Sequence, residues 1–101
     1  MATTTSDRLS ELLAATRHAV IDGAGFTDAT IRRQVASGQP PSELAGLVQK
    51  IRERAYAVTD DDVDRLRARY SEDQLFELIV AAAVGAAGER VNAALDAVRR
   101  A

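Results

Sequence analysis

The stretch Ile79–Gly88 reads IVAAAVGAAG, a run with two glycines and without any charge, hydroxyl or amide side chain. It is too short to cross a membrane, which takes about 20 apolar residues. It also has few of the large side chains that an ordinary amphipathic helix buries. A helix that is apolar around most of its circumference is buried by neighbours on several sides. The stretch therefore predicts a central helix against which other helices pack tightly.

The small side chains indicate close approach between helices. Glycine inside a helix costs about 1 kcal/mol relative to alanine, a loss that close packing can offset, and small residues let helix axes approach the short end of the usual range of about 8–10 Å. One inner stripe of the predicted helix consists of Leu75, Leu78, Ile79, Ala82, Gly85, Ala86 and Ala93. A second apolar side consists of Ala81, Val84, Gly88 and Val91. We expect helices of the same chain, or of a partner chain, to enclose the middle of this helix.

The remaining sequence also predicts helices, because alanine, leucine, glutamate and arginine all favour them. A first helix begins at Thr5 or Ser6 and ends at Asp22–Gly25, with a buried stripe of Leu9, Leu12, Leu13, Val20 and Ile21. Thr27 caps a second helix with Ile31 and Val35 inward and Arg32 outward, and a third begins near Ser42 with Arg52 mainly outward. Thr59 caps a fourth helix, and Ser71 to Gln74 form a capping box that opens a long C-terminal helix over residues 71–100.

These elements predict an all-α fold: a compact bundle of about five helices around the long C-terminal helix. The 101 residues fit a single domain, 1–101, with residues 1–5 as a disordered tail. The four aromatic side chains are expected to fill gaps between helix ends: Phe26, Tyr56, Tyr70 and Phe76.

Composition excludes several classes of function. A net charge of −2 argues against a general nucleic-acid binder, which carries a strongly basic face. The absence of cysteine excludes a thiolate nucleophile, a disulfide and a cysteine metal site, and the single histidine cannot build a histidine-rich one. The first ten residues lack the basic and apolar regions of a secretory signal. We therefore expect a cytoplasmic protein that binds no metal, cofactor, membrane or nucleic acid.

The segment 58–95, VTDDDVDRLRARYSEDQLFELIVAAAVGAAGERVNAAL, resembles the C-terminal part of the carboxymuconolactone decarboxylase and alkylhydroperoxidase-D-like family. In that family a short acidic helix precedes a long helix that leads into an arginine-containing segment, matched here by Gly88 to Asn92. Upstream, GFTDATI at 25–31 is similar to a short helix of the family. The resemblance implies an alkylhydroperoxidase-D-like bundle.

The redox branch of that family uses a C-x-x-C-x-x-x-H motif, in which one thiol attacks peroxide and the other resolves the sulfenic acid. Counting back from His18 places Glu11 and Ala14 where the cysteines would stand, so thiol peroxidase activity is excluded. The decarboxylase branch needs a positioned acid or base and a cationic group instead. For that branch the catalytic candidates are His18, Glu11, Arg17 and Arg90, although the chain is shorter than the usual member at its N-terminal end.

Each candidate also has a structural interpretation. His18 is the one side chain that titrates near neutrality, and it also suits the C-terminal end of a helix, where the dipole favours a protonated imidazole. Glu89 follows the small-residue run and, with Asn92 on the same face, could line a polar binding pocket or simply mark the return of the helix to solvent. Glu77 is expected to be exposed.

Two hypotheses for the function follow. The first is a non-redox, non-catalytic member of the family, a helical subunit that self-associates through its small-residue helix and could bind a protein partner or a small ligand. The second is a cysteine-independent lyase or decarboxylase-like enzyme that uses His18 with nearby carboxylates and arginines.

Overall fold

The C-terminal helix is the longest element of the fold. The computed structural model describes residues 5–101, with side chains from residue 7 onward. Over that range the chain forms no strand and five α-helices: α1 (Thr5–Arg17), α2 (Ala29–Ala36), α3 (Ala45–Arg54), α4 (Asp60–Asp64) and α5 (Glu72–Arg100). The predicted all-α bundle around a long C-terminal helix is confirmed, whereas the predicted disordered tail falls mainly on residues 1–4, outside the described range.

Helix α5 begins at the predicted capping box. The Ser71 hydroxyl accepts a hydrogen bond from the Gln74 amide at 3.1 Å, and the Gln74 side chain accepts one from the Ser71 amide at 2.9 Å. Both bonds satisfy amides that the first turn of a helix leaves without partners. The helix runs for 29 residues, about 44 Å at 1.5 Å per residue, and sets the longest dimension of the molecule, 53 Å.

One side of the middle of α5 is enclosed by its own chain, whereas Ala87 on the other side is exposed, so the expected enclosure is confirmed only in part. Ala81 and Ala82 are fully buried, and α2 is its main neighbour. At Gly85 the two backbones approach so closely that a Cβ atom would lie 2.6 Å from the carbonyl carbon of Ala36. Only glycine fits there.

A single hydrophobic core joins α2, α3 and α5. Its fully buried large side chains are Ile21, Val35, Leu44 and Leu75. A 3₁₀ turn at Ser42–Leu44 leads into α3 and carries Leu44 inward, where Leu47, Val48 and Ile51 extend the buried face. The predicted inward face of the second helix is confirmed, since Val35 is fully buried and Ile31 is half-buried.

Helix α1 differs from the prediction. It ends at Arg17 and continues as one π-helical turn, His18–Asp22, so the helical path does reach Asp22. Leu9 and Leu12, expected to be buried, are 45% and 64% exposed. The reason is that α1 packs along one side of α5, where Arg99 reaches the Ser10 hydroxyl at 3.0 Å, and no described element covers its outer side.

The aromatic side chains are also more exposed than predicted. Phe26, Tyr56 and Phe76 are 68%, 87% and 68% exposed, so they do not fill gaps within the chain. Tyr70 is half-buried and donates a hydrogen bond to Glu43 at 3.0 Å. Burial raises the pKa of the Tyr70 hydroxyl above its ordinary value. Only this fourth aromatic matches the expectation.

Helix α4 begins at the predicted cap, Thr59, and is only five residues long. Thr59 and Asp62 form a reciprocal capping box, and Asp62 also pairs with Lys50 of α3 at 2.8 Å. Together these contacts lower the pKa of Asp62 to about 2, the Lys50 hydrogen bond contributing most and the backbone amide of Thr59 next. The carboxylate of Asp62 therefore ties α4 to α3.

The depressed pKa of Asp62 makes a pH-dependent prediction. Because the folded-state pKa lies below the unfolded one, its contribution to stability is present above about pH 4 and is lost as the pH falls toward 2. We expect Asp62→Asn to lower the melting temperature at pH 7 by a few degrees and to have little effect near pH 2. Thermal unfolding followed by circular dichroism would measure this difference.

Asp61→Asn is the matched control. Asp61 lies in the same first turn, is exposed, and its carboxylate makes no hydrogen bond or ion pair with the part of the chain that the structure describes. Its replacement should change the melting temperature less than that of Asp62 at pH 7. An equal effect of the two variants would show that the helix dipole, rather than the link to Lys50, accounts for the stabilisation.

Candidate functional site

An open groove lies between α3, α5 and the connection after α2, with a volume of about 530 Å³. Its polar lining comes from Arg52, Glu53, Glu89, Arg90 and Gln49. Gly38 lies at one end with a φ of +80°, and a Cβ atom there would lie 3.0 Å from the Arg52 Nε. Glycine therefore provides both the left-handed turn and the space for the arginine.

Arg52 organises this groove. Its guanidinium donates a hydrogen bond to the Ala36 carbonyl at 2.8 Å and pairs with the Glu89 carboxylate. The Ala36 carbonyl lies at the C-terminal end of α2, where the helix leaves its last carbonyls without partners. Arg52 thus joins the end of α2 to α5, and its side chain is only 20% exposed.

Arg90 completes the groove by donating a hydrogen bond to the backbone carbonyl of Arg52. The ionised lining, Arg52 and Arg90 against Glu53 and Glu89, is formally neutral. Both arginines already have protein partners. We therefore interpret them as residues that link helices and not as groups that are free to bind a ligand. Glu89 and the catalytic candidate Arg90 both line this groove, whereas Asn92, predicted to share a polar pocket with Glu89, does not.

Arg17 and Asn92 line a second, smaller pocket between α1 and α5, with a volume of about 260 Å³. Its apolar surface is formed by Leu13, Ala14 and Val84. A Cβ atom on Gly88 would lie 4.0 Å from the Arg17 Nη1, so the guanidinium lies above the glycine. The structure therefore separates the predicted polar residues into two places.

His18 lies in neither cavity. Its side chain is 79% exposed, and Nδ1 lies 3.2 Å from the Asp22 carboxylate one turn later. Asp22 also accepts from Arg33 at 3.0 Å, and the hydrogen bond from Arg33, with a smaller contribution from His18, holds the pKa of Asp22 below its ordinary value. Glu11 is exposed on α1 and lines neither cavity. The structure thus does not gather the four catalytic candidates into one site.

Three charged residues that were predicted to be exposed are half-buried or buried: Glu77, Arg32 and Arg52. The Glu77 carboxylate accepts from the backbone amides of Phe26 and Thr27 at 2.6 and 2.9 Å. With Thr27 held in this way, Asp28 rather than Thr27 caps α2, accepting from the Thr30 amide at 2.9 Å.

Arg32 was expected on the exposed side of α2 and is 3% exposed. One signal does indicate this burial, since Arg32 precedes the buried Ala36 by four residues on the same helix face. Arg52 similarly follows the buried Val48 by four residues. Neither spacing predicts which groups the two guanidinium groups contact.

A metal site is not indicated by the arrangement of potential ligands. Within residues 7–101 no three side chains of the His, Asp and Glu types cluster closely enough to hold a metal ion. The acidic first turn of α4 is accounted for by the capping box and by the pairing of Asp62 with Lys50.

One face of α5 consists of apolar side chains that are largely exposed. Its residues recur every three or four positions and include no charged side chain: Phe76, Val80, Ala83, Ala87, Val91, Ala94 and Val98. We call this set the open face. Phe76 and Val98 are 68% and 64% exposed, the three alanines are exposed, and the two other valines are half-buried. The open face extends for about 33 Å along the helix.

By length and composition alone, α5 is apolar enough to cross a membrane. This is weak evidence for a membrane span, since the core helix of a soluble protein passes the same test. Eight residues of α5 are buried, most of them against the other helices of its own bundle. The fold is compatible with a soluble globular protein.

Comparisons with known proteins found no match: no family model fits the chain, and neither a curated protein nor a solved structure matches it. The assignment of a function therefore depends on the chain's own residues and geometry.

Proposed function

We propose that this protein is a cytoplasmic, non-redox helical subunit that self-associates through the open face of α5. The observation that supports the proposal is the exposed, uncharged face itself, which runs along about 33 Å of helix. At a width of about 10 Å for one helix, it covers on the order of 300 Å². The largest apolar patch on a typical soluble monomer is about 300–600 Å² and is often functional.

A second copy of the same chain suits this face because the face is nearly self-complementary. In an antiparallel pair centred on Ala87, Phe76 lies beside Val98 of the second copy and Val80 beside its Ala94. The alanines at the centre allow the two helix axes to approach closely. The large side chains thus pack against each other at the two ends of the pair, on either side of the central contact between alanines.

The charges of α5 favour the antiparallel arrangement. Its first turn carries Glu72 and Asp73, and its last turn carries Arg99 and Arg100. Antiparallel packing brings the acidic end of one copy to the basic end of the other, while parallel packing brings like charges together. The helix dipoles also oppose each other favourably in the antiparallel pair.

The resemblance over residues 58–95 supports placing the chain as a cysteine-free member of the carboxymuconolactone decarboxylase-like family, and that placement depends on those residues alone. The separation of His18 and Glu11 from both cavities favours the subunit role over the lyase alternative.

A single charge at the centre of the open face tests the proposal. We expect the unmodified protein to be a dimer at micromolar concentration and Ala87→Glu to be a monomer. Two carboxylates would be buried opposite each other at the centre of the pair, which weakens association by about a hundredfold or more. Size-exclusion chromatography with light scattering would measure the mass, and circular dichroism would show that both proteins stay helical.

Ala93→Glu is the matched control, since Ala93 is an exposed alanine of the same helix that lies off the open face. It should leave the dimer intact. A monomeric unmodified protein at micromolar concentration would contradict the proposal, and so would equal loss of the dimer in both variants.

A further inference from the structure

The pocket between α1 and α5 has a different character from the larger groove. Among the lining residues that the structure describes there is one cation, Arg17, and no acid. The Arg17 guanidinium makes no hydrogen bond or ion pair within residues 7–101, and the Asn92 amide also has no partner there. Two polar groups that can donate hydrogen bonds therefore stand at the pocket without a protein acceptor.

The rest of the lining is mostly apolar. Leu13 and Ala14 contribute from α1, and Val84 contributes from α5. Gly88 leaves the space beside the guanidinium free of a side chain, since a Cβ atom on this residue would lie 4.0 Å from Nη1. The pocket thus combines a cationic end with an apolar floor, which is the arrangement that an amphipathic anion requires.

We infer that this pocket binds short-chain monocarboxylates. The planar guanidinium can accept a carboxylate in a two-point hydrogen bond, and Asn92 can donate a further one. The hydrocarbon chain then lies on Leu13, Ala14 and Val84. A volume of about 260 Å³ is just below the usual range for small-molecule sites, which starts at about 300 Å³, so the ligand must be small.

The larger groove does not offer this chemistry. Its two arginines are paired with Glu89 and with backbone carbonyls, and its lining is formally neutral. The pocket is also complete within one chain, so the inference does not depend on self-association. Failure of the dimer proposal would leave it untouched.

Hexanoate is the probe for a titration followed by two-dimensional amide NMR. We expect shifts of the amides of Arg17, Gly88 and Asn92. Shortening the chain to butyrate should weaken binding by about tenfold, since each buried methylene changes affinity by about fourfold when burial is complete. Hexylamine, which has a similar chain but carries a positive charge, should not bind.

Arg17→Gln should weaken hexanoate binding by about five- to tenfold, because the charge-assisted hydrogen bonds are lost. Arg8→Gln is the matched control, an exposed arginine of the same helix that does not line the pocket, and its affinity should be unchanged. The inference is overturned if hexanoate shifts no amide near the pocket, if Arg17→Gln binds as tightly as the unmodified protein, or if hexylamine binds equally well.

Discussion

Gly85→Ala is expected to lower the free energy of unfolding by about 3 kcal/mol or more, one of the two largest effects expected of any substitution in this chain. The added Cβ atom would overlap the carbonyl group of Ala36, with the carbonyl carbon only 2.6 Å away. The obstacle is backbone rather than the end of a flexible side chain. Relief therefore requires α2 and α5 to separate, which loosens the main helix contact of the core.

Urea unfolding followed by circular dichroism measures this loss, with Gly46→Ala as the control. Gly46 lies in α3, and a Cβ atom there would meet nothing within 4 Å. Alanine favours the helix over glycine, so this variant should gain about 0.5–1 kcal/mol. The expected result is that the same glycine-to-alanine change lowers the free energy of unfolding at position 85 and raises it at position 46. A gain in stability for Gly85→Ala as well would mean that α2 and α5 do not approach closely.

The sequence predicts the parts of the fold that depend on local chemistry. The capping boxes at Thr59 and Ser71 are recognised because the partners lie three residues apart. The small-residue run predicts close packing because two glycines inside a helix lower its stability, and close contact between helices is the main way to offset that loss. The capping boxes and the small-residue run can both be recognised without knowing which helices pack against each other.

What the sequence does not predict are consequences of tertiary geometry. The apolar residues Leu9 and Leu12 have helical periodicity, but periodicity says only which residues share a face, not whether another element covers it. Phe76, expected to fill a gap between helix ends, is exposed because the sequence does not show whether a gap is there. The periodicity argument therefore assigns to the core some side chains that the structure leaves exposed.

The candidate sites show the same division. The sequence offers Arg17 and Arg90 as cationic groups and Glu89 and Asn92 as polar residues that follow the small-residue run, and each of the four lines a cavity. Which of them share a cavity depends on the path of α1 across α5 and on the distance of α3 from α5. His18 lies outside both cavities with its side chain 79% exposed, a position that depends on how the π-helical turn leaves the bundle and that the sequence does not indicate.

Arg32 carries the second large expected effect. Its side chain is 3% exposed and makes two hydrogen bonds, from Nη1 to the Val20 carbonyl at 3.2 Å and from Nη2 to the Thr27 carbonyl at 3.3 Å. No carboxylate within residues 7–101 forms an ion pair with it. The guanidinium thus acts as a link between α2, the π-helical turn and the loop that follows that turn.

Arg32→Ala is expected to lower the free energy of unfolding by about 2–4 kcal/mol. Two carbonyls lose their donor, at about 1–3 kcal/mol for each buried group that stays unsatisfied, and a cavity replaces the long side chain. The guanidinium is a buried charge that has no ion pair, and its burial costs desolvation free energy. Its removal relieves that cost, which offsets part of the loss of stability. We expect the carbonyls and the cavity together to outweigh that gain.

Arg32→Met separates these contributions, since methionine fills most of the volume but donates no hydrogen bond. Its loss of stability in urea unfolding should lie between zero and that of Arg32→Ala. Arg33→Ala is the control: Arg33 is 58% exposed and pairs with Asp22, and exposed pairs contribute about 0–1 kcal/mol. If Arg32→Met proved more stable than the unmodified protein, the desolvation of the guanidinium would exceed the value of its two hydrogen bonds, and Arg32 would not act as a stabilising link.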